Sequence, residues 1–261
     1  MNDGFHAPRK SLGQNFLQDP NIVRKIVGAV GATPNDVVLE IGPGRGALTE
    51  LLIDSGCQLH LVEFDRDLVE YWQERAGGNR KLKVHGGDIL NFDFKTLGLQ
   101  PGQKLKIVGN LPYNISSPIL IHLLDYTHLI ERAIIMLQKE VIDRLVASPN
   151  NKTFGRLSVV IQQSFDVTAL FNVPNTAFFP PPKVTSSVAQ LLPHSRHTVS
   201  NQAVFSDLVK TAFSQRRKTL RNNVKKSPYQ DTLENSSIDL GRRAETLSVA
   251  EFVAPANAVK T

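Results

Sequence analysis

The fold is decided by one stretch near the start of the chain, Val37-Val38-Leu39-Glu40-Ile41-Gly42-Pro43-Gly44-Arg45-Gly46. Residues 37–41 are apolar apart from one acid and show almost no alternation, which predicts a strand buried on both faces of a parallel sheet. The glycines that follow let the backbone approach a ligand closely, and a helix is predicted at about 47–55. We therefore expect an α/β domain with a ligand site where this strand ends.

The next three predicted strands also end near polar residues. These strands span 59–63, 82–85 and 105–109. Glu63 lies 21 positions after Gly42, where a carboxylate at a neighbouring strand tip accepts both ribose hydroxyls of a nucleoside cofactor. Asp88 is placed to accept a hydrogen bond from the cofactor's adenine amine, although turn chemistry alone also explains a single Asp here. With Asn110 as a fourth strand tip, the pattern predicts a bound adenosine.

The strand tips do not by themselves name the cofactor. Gly42, Gly44 and Ala47 also satisfy the looser dinucleotide fingerprint, so an NAD-dependent enzyme is an alternative. A dehydrogenase needs neither Asp88 nor the turn that follows the fourth strand, and this decides against it.

That turn is Asn110-Leu111-Pro112-Tyr113, and it suits methyl transfer to an exocyclic amine of a nucleobase. Such a nitrogen is a poor nucleophile because its lone pair is delocalised into the ring. The side-chain carbonyl of Asn110 and the backbone carbonyl of Leu111 are two acceptors that favour the pyramidal geometry in which the lone pair attacks. Pro112 restricts the residue before it, and Tyr113 offers a flat face for a base pulled out of its helix. An ordinary strand-end turn is the alternative.

A proline-rich segment at 177–184 carries a second candidate for base stacking. We expect an exposed aromatic ring at Phe178 to form a wall opposite Tyr113, with a core aromatic beside a stiff connector as the alternative. The segments 157–165 and 184–192 on either side are predicted to be strands that pair at the sheet edge.

Composition limits the class of protein. With 261 residues, 41% hydrophobic and 21% charged, the chain fits one large domain, or a main domain with a small appendage. No apolar run is long enough to span a bilayer, and no signal-peptide pattern opens the chain. Cys57 is the only cysteine, and the seven histidines are scattered, so we expect no metal site. These features predict a cytoplasmic protein with neither metal nor membrane partner.

The excess positive charge lies in the last quarter of the chain. Residues 196–261 contain 11 lysines and arginines against 6 acids, whereas residues 1–195 contain 19 against 18. We therefore predict a catalytic domain at 1–195 and a basic helical domain at 196–261 that binds a polyanion. Residues 215–226 contain six basic residues and no acid, which favours a phosphate-contacting helix over a plain solvated face. The six are Arg216, Arg217, Lys218, Arg221, Lys225 and Lys226.

Taken together, the motifs resemble those of the small-subunit ribosomal RNA adenine dimethyltransferases of bacterial type. The resemblance runs from about Lys10 to about Asn223. The matching motifs are Gln14-Asn15-Phe16-Leu17, Glu40-Ile41-Gly42-Pro43-Gly44, Glu63 with Asp65, Gly87-Asp88, Asn110-Leu111-Pro112-Tyr113-Asn114 and Phe178-Phe179-Pro180-Pro181-Pro182-Lys183-Val184. The basic run at 216–223 also matches, and it helps separate this group from the related macrolide-resistance methylases.

The resemblance implies a fold and a cofactor. The fold is a seven-stranded, Rossmann-like sheet of an S-adenosylmethionine-dependent methyltransferase, with a small all-α C-terminal domain. The implied methyl donor is S-adenosylmethionine. Residues 9–17, which on their own pattern are predicted to be an ordinary N-terminal arm, are implied to be a cofactor lid. The residues implied to contact it are Asn15, Leu17, Gly42, Glu63, Asp88 and Asn110.

The resemblance also implies a substrate. Two adjacent adenines in a hairpin loop near the 3′ end of small-subunit rRNA would each receive two methyl groups, within the subunit or its precursor. We further expect a monomer. The nearest alternative is an adenine methyltransferase acting on DNA or on large-subunit rRNA. A non-enzymatic assembly factor on the same scaffold could have lost Asn110 or Glu63, and both are present.

Overall fold

A computed structural model describes residues 14–259, so the part of the expected lid at 9–13 lies outside the described residues. The strands are β1 (Phe16–Leu17), β2 (Val37–Ile41), β3 (Gln58–Glu63), β4 (Leu82–Gly86), β5 (Leu105–Asn110), β6 (Ile130–Gln138), β7 (Phe165–Val173), β8 (Phe178–Phe179) and β9 (Ser186–Pro193). The helices are α1 (Pro20–Val30), α2 (Thr49–Asp54), α3 (Arg66–Ala76), α4 (Ser116–Leu124), α5 (Lys139–Leu145), α6 (Arg156–Gln162), α7 (Gln202–Ala212), α8 (Leu220–Val224), α9 (Gln230–Glu234) and α10 (Val249–Ala258).

Seven of these strands form one sheet in the order β4-β3-β2-β5-β6-β9-β7. Neighbours from β4 to β6 are parallel, and β9 is antiparallel to β6. The chain runs outward from β2 through β3 to β4, and then returns to place β5 on the other side of β2. The order therefore reverses between β2 and β5, and Ile41 pairs with Gly109 there. Ligands of open α/β sheets bind at such a switch point, at the carboxyl ends of the strands.

The chain divides into two compact units. The first runs to Ile142 and resumes over Thr168–Pro193, and the second comprises Asp143–Val167 and the chain from His194 onward. Residues 143–167 thus belong with the basic C-terminal part, although the sequence places them in the catalytic domain. The second unit holds 14 lysines and arginines against 8 acids, whereas the first holds 16 of each. All of the net positive charge is therefore in the second unit.

The strand predicted at 157–165 is wrong. Residues 156–162 form α6, and the strand β7 begins only at Phe165. Ser158 is buried in α6, where its Oγ accepts from the Gly155 N–H at 3.0 Å and donates to the Arg144 carbonyl at 2.6 Å. A short apolar run fits a buried helix turn as well as a strand, and these local hydrogen bonds favour the helix.

The basic run is not one helix. Its helical part is only α8, and the chain turns between Phe213 and Thr219. The Asn223 side chain donates to the carbonyls of Ala212, at 2.6 Å, and Gln215, at 3.1 Å, which caps the end of α7. The carbonyl of Ala212, the last residue of α7, is thus satisfied, and that of Gln215 lies in the turn that separates α7 from α8.

Candidate active site

The carboxyl ends of β2, β3 and β5 surround a cavity of about 250 Å³ within the first unit. Four of the expected strand-tip residues line it. These are Gly42, Glu63, Asp88 and Asn110. Asn15 and Leu17 line the same cavity, and so do Leu111, Pro112 and Tyr113. The expected cofactor residues and the turn after β5 are therefore brought together in one place.

The loop after β2 is shaped by its glycines. Gly42, Gly44 and Gly46 have positive φ angles of 65°, 55° and 84°, a region that side chains disfavour. A Cβ at Gly46 would lie 2.5 Å from the ring of Trp72, which is completely buried beneath the loop. The indole N–H of Trp72 donates to the Gly44 carbonyl at 2.9 Å. Trp72 thus supports the loop from below, a role that its sequence context does not signal.

Glu63 ties the tip of β3 to this loop. It is only 6% exposed, and its carboxylate accepts from the N–H of Gly44 at 3.1 Å, of Phe64 at 2.8 Å and of Asp65 at 2.9 Å. Burial raises its pKa, and the three N–H donors work against that shift. The carboxylate is therefore held rigidly at the cavity wall.

Glu40 is a cavity residue whose role sequence reasoning missed. It is 2% exposed, lies one residue before the end of β2 and lines the cavity. Burial raises its pKa to about 8, against a hydrogen bond of 2.7 Å from the Thr49 hydroxyl. The buried site therefore favours the protonated form of this carboxyl. Its signal in the sequence was an acid inside an otherwise apolar strand.

Asp88 follows β4 and is half-buried. Its Oδ1 accepts from the Leu90 N–H at 3.0 Å, which caps a short 3₁₀ turn at Ile89–Asn91. This is the turn chemistry that the sequence left as an alternative. The same carboxyl also lines the cavity, so the contact with a cofactor adenine stays a prediction.

The side chain of Asn110 has a defined orientation. Its Nδ2 donates to the backbone carbonyl of Asn15 at 3.0 Å, so the amide nitrogen is turned toward the start of the chain. Leu111 is 1% exposed, and its N–H donates to the Met136 carbonyl of the neighbouring strand at 3.1 Å. The turn closes with an Ile115 N–H donating to the Pro112 carbonyl at 3.2 Å. The two expected acceptors, Asn110 Oδ1 and the Leu111 carbonyl, are thus on a well-tethered backbone.

Tyr113 is half-buried at the cavity wall. Its hydroxyl and the Ser186 hydroxyl are 2.7 Å apart, and the Ser116 hydroxyl donates to the Tyr113 carbonyl at 3.1 Å. Burial raises the pKa of the phenol, so it is neutral at physiological pH. Tyr113 is therefore held both at its phenol hydroxyl and at its backbone carbonyl.

The expectation of an exposed ring at Phe178 is wrong. The strand β8 pairs with β1, with Leu17 opposite Phe178 and Phe16 opposite Phe179. Successive side chains of a strand point to opposite faces, and here Phe178 faces the core and is 4% exposed. Phe179 is the exposed ring, at 51%.

The six basic residues of 215–226 are all exposed in the second unit. Arg216 pairs with Glu245 at 2.8 Å and also donates to the Lys152 carbonyl, so its charge is partly used within the fold. For the other five, no ion pair is found with any residue in the described range 14–259.

Across residues 14–259, no cluster of three or more His, Cys, Asp or Glu side chains is arranged to hold a metal ion. Among the described helices, none has the length and apolar character that crossing a membrane requires.

Residues 5–260 match the family model described as Ribosomal RNA adenine dimethylase. The chain belongs to the ribosomal RNA adenine dimethylase family. It is 48% identical over 257 residues to "Ribosomal RNA small subunit methyltransferase A" of Cupriavidus pinatubonensis, covering 95% of this chain and 91% of that protein. A protein of the same name from Aromatoleum aromaticum is 47% identical over 254 residues, covering 97% and 94%.

Solved structures agree with this membership. A dimethyladenosine transferase from Plasmodium falciparum superposes with a TM-score of 0.76 at 26% identity, covering 92% of this chain and 95% of that one. The 23S rRNA methyltransferase ErmE superposes with a TM-score of 0.67 at 23% identity, covering 94% and 99%, and shows the fold alone. The resemblance and the fold class inferred from sequence are confirmed.

As a ribosomal RNA adenine dimethylase, the chain is an S-adenosylmethionine-dependent methyltransferase, which sets aside the dehydrogenase and the non-enzymatic alternatives. The cavity fits this cofactor. A Cβ at Gly42 would meet nothing within 4 Å, so the backbone faces open space at the head of the loop. Carboxyl groups from two further strand tips, Glu63 and Asp88, lie around the same space.

Proposed function

We propose that this dimethylase modifies two adjacent adenines in a hairpin loop near the 3′ end of small-subunit rRNA, adding two methyl groups to each N6 amine. The substrate is the small ribosomal subunit or its precursor, and the chain acts as a monomer in the cytoplasm. The two bacterial relatives named for the small subunit support the choice of rRNA. The second unit, with all of the net positive charge, supports a polyanionic partner.

The observation that carries the catalytic proposal is the hydrogen bond from Asn110 Nδ2 to the Asn15 carbonyl. An amide whose nitrogen is already engaged presents its oxygen to a second partner. Asn110 Oδ1 and the Leu111 carbonyl then accept the two N–H bonds of the target amine. This favours the pyramidal nitrogen that attacks, while Tyr113 stacks on the adenine ring and offsets part of its unstacking, at about 1–3 kcal/mol per base.

The cofactor site in this proposal comprises Asn15, Leu17, Gly42, Glu63, Asp88 and Asn110. Held there, S-adenosylmethionine would supply an electrophilic methyl group, for in-line displacement in which the nitrogen–carbon bond forms as the carbon–sulfur bond breaks and the thioether product leaves. The protein contributes positioning, which reaches roughly 7–11 kcal/mol in good cases. The methylated nitrogen is strongly acidic and releases its proton to solvent, so no side chain of shifted pKa is needed as a base.

The test is base mapping on defined substrates. Undermethylated small subunits, naked small-subunit rRNA, large subunits and double-stranded DNA are each incubated with the protein and S-adenosylmethionine carrying a labelled methyl group. We expect label on two adjacent adenines of the small subunit, as dimethyladenine. Label confined to large-subunit rRNA or to DNA would overturn the proposal.

A further inference from the structure

Residues 14–17 form a strap that crosses the tips of three strands, and each residue of this strap is tethered differently. Gln14 donates to Asp65, just after β3, at 3.1 Å. The Asn15 carbonyl accepts from Asn110 at the end of β5, at 3.0 Å. Leu17 is 6% exposed and belongs to the core. The strap therefore joins the candidate methyl-transfer residue to the rest of the site.

Phe16 is tethered through its ring. A Cβ at Gly44 would lie 3.0 Å from Phe16 Cε1, so the ring lies directly against the glycine loop. The guanidinium carbon of Arg45 is 4.7 Å from the centroid of the same ring, within the distance of a cation–π interaction. Arg45 follows Gly44 in the loop, so the loop touches the ring through both residues.

We propose that Arg45 is a positioning residue for methyl transfer, which holds Phe16 and thereby the Asn15 carbonyl that orients the Asn110 amide. The inference rests on the proposed function of Asn110. It gives a role to a loop residue whose identity the glycine pattern does not specify.

The orientation matters because an asparagine amide has two chemically opposite ends. With Oδ1 toward the target amine, Asn110 accepts a hydrogen bond from it. With the amide rotated by half a turn, the NH₂ group would face the N–H bonds of the substrate, donor against donor. A backbone carbonyl only accepts, so the Asn15 carbonyl selects the productive orientation for as long as it stays in place.

Arg45 acts on that carbonyl through one peptide unit. Leu17 is fixed by the core and by its pairing with Phe178, so the strap remains attached when the Phe16 ring is released. The backbone of Phe16 also pairs with that of Phe179, so Asn15 lies one residue beyond the paired segment. The Phe16 ring that Arg45 contacts is the side chain next to Asn15 on that side. Removing Arg45 is therefore expected to loosen the Asn15 carbonyl without unfolding the sheet.

The first test measures the hydrogen bond itself. Hydrogen exchange of the Asn110 side-chain NH₂ is followed by NMR, with its signal assigned by its absence in Asn110→Asp. We expect exchange to become several-fold faster in Arg45→Ala and in Phe16→Leu. Because both changes break the same interaction, the double variant should exchange no faster than either single one. Arg45→Lys, which keeps a cation, should recover part of the protection.

The second test is kinetic. Arg45→Ala should lower kcat roughly three- to tenfold, the range of one partly desolvated cation–π interaction, with little change in KM for the rRNA substrate. Arg75→Ala is the control. Arg75 also lies in the first unit, and its ion pair with Glu50, at 2.7 Å, involves no residue of the strap. It should leave both readouts unchanged.

The two tests separate the failure of this inference from the failure of the proposed function. Unchanged exchange of the Asn110 amide in Arg45→Ala would overturn the positioning role, whatever the activity. Strictly additive effects of the two single variants would overturn it as well. A wild-type protein that does not methylate small-subunit adenine would overturn the proposed function, while the exchange measurement would still decide the role of Arg45.

Discussion

At the scale of single residues, the site depends on acids that are buried to different degrees. Glu63 is fixed by three backbone N–H donors, whereas burial raises the pKa of Glu40 to about 8. The sequence placed Glu63 correctly at the cavity, since strand-tip spacing is set by the sheet. The sequence did not predict the raised pKa of Glu40, because that pKa depends on how completely β2 is buried.

Glu63→Ala should weaken the binding of S-adenosylmethionine, because two ribose hydrogen bonds are removed together with the tie to Gly44. We expect an affinity about 5- to 150-fold lower, from net hydrogen-bond values of about 0.5–1.5 kcal/mol for each of the two ribose bonds. Isothermal titration calorimetry measures this directly. Glu50→Ala, on the exposed side of α2, is the matched control. Equal affinities for wild type and Glu63→Ala would remove Glu63 from the cofactor site.

Glu40 should make the protein less stable as the pH rises. A carboxyl whose folded pKa is raised from 4.5 to about 8 keeps its proton to a higher pH in the folded state than in the unfolded state. Its contribution to folding stability is therefore complete below pH 4.5 and is lost as the pH rises toward 8. Burial lowers the pKa of His60 to about 4, so His60 makes the protein more stable as the pH rises, but only below pH 6.5. Between pH 6.5 and about 8.5 the wild type should therefore lose on the order of 2 kcal/mol from Glu40.

Glu40→Gln removes this titration and keeps an acceptor for the Thr49 hydroxyl. Urea unfolding at several pH values should show a flatter stability profile in the variant than in the wild type. Parallel profiles would mean that Glu40 is ionised in the folded protein.

At the scale of elements, the sequence predicted the parallel core well and its periphery poorly. Long apolar strands such as β2 and β5 have one reasonable interpretation, and both appear within a residue of the expected bounds. Residues 157–165 and 215–226 were misassigned, because a short apolar run or a charged run does not reveal which carbonyls its neighbours will satisfy. The two-residue pairing of β1 with β8 joins segments about 160 positions apart, and no local pattern encodes it.

The pairing of β1 with β8 predicts that replacing Phe178 destabilises the fold much more than replacing the adjacent Phe179. Phe178→Ala should destabilise the fold by about 3–5 kcal/mol, because it empties a core position. Phe179→Ala changes a ring that is 51% exposed and should alter stability by no more than about 0.5 kcal/mol. Thermal unfolding of the two variants compares them directly. Similar losses would contradict the assignment of faces.

At the scale of the whole molecule, the two units differ in net charge. The first is neutral overall and contains the cavity, and the second has all of the net positive charge. The sequence placed residues 143–167 in the catalytic domain, whereas these residues pack with the second unit. Charge can be read from residues alone, whereas the membership of a segment depends on its packing.

Binding of rRNA should weaken when four basic residues are replaced with Ala, namely Arg217, Lys218, Lys225 and Lys226. The slope of log binding constant against log salt concentration should become shallower by about one unit for each phosphate that is no longer neutralised. Arg216 is left intact because it pairs with Glu245. The affinity for S-adenosylmethionine should not change. The control replaces exposed Arg80, Lys81, Lys83 and Lys95 of the first unit with Ala. Equal salt slopes for both quadruple variants would show that the basic run is only a solvated surface.

The central claim is that Asn110 orients the target amine, and the most direct measurement is the product ratio on undermethylated small subunits, resolved by mass spectrometry. Asn110→Ala should slow methyl transfer by a large factor with rRNA affinity nearly unchanged, because the missing hydrogen bond is one that strengthens as the nitrogen becomes pyramidal. Asn110→Asp should still form monomethyladenine. It should fail selectively at the second transfer, where a carboxylate beside the new methyl group is poorly solvated. A normal rate and a normal share of dimethyladenine in both variants would contradict the account.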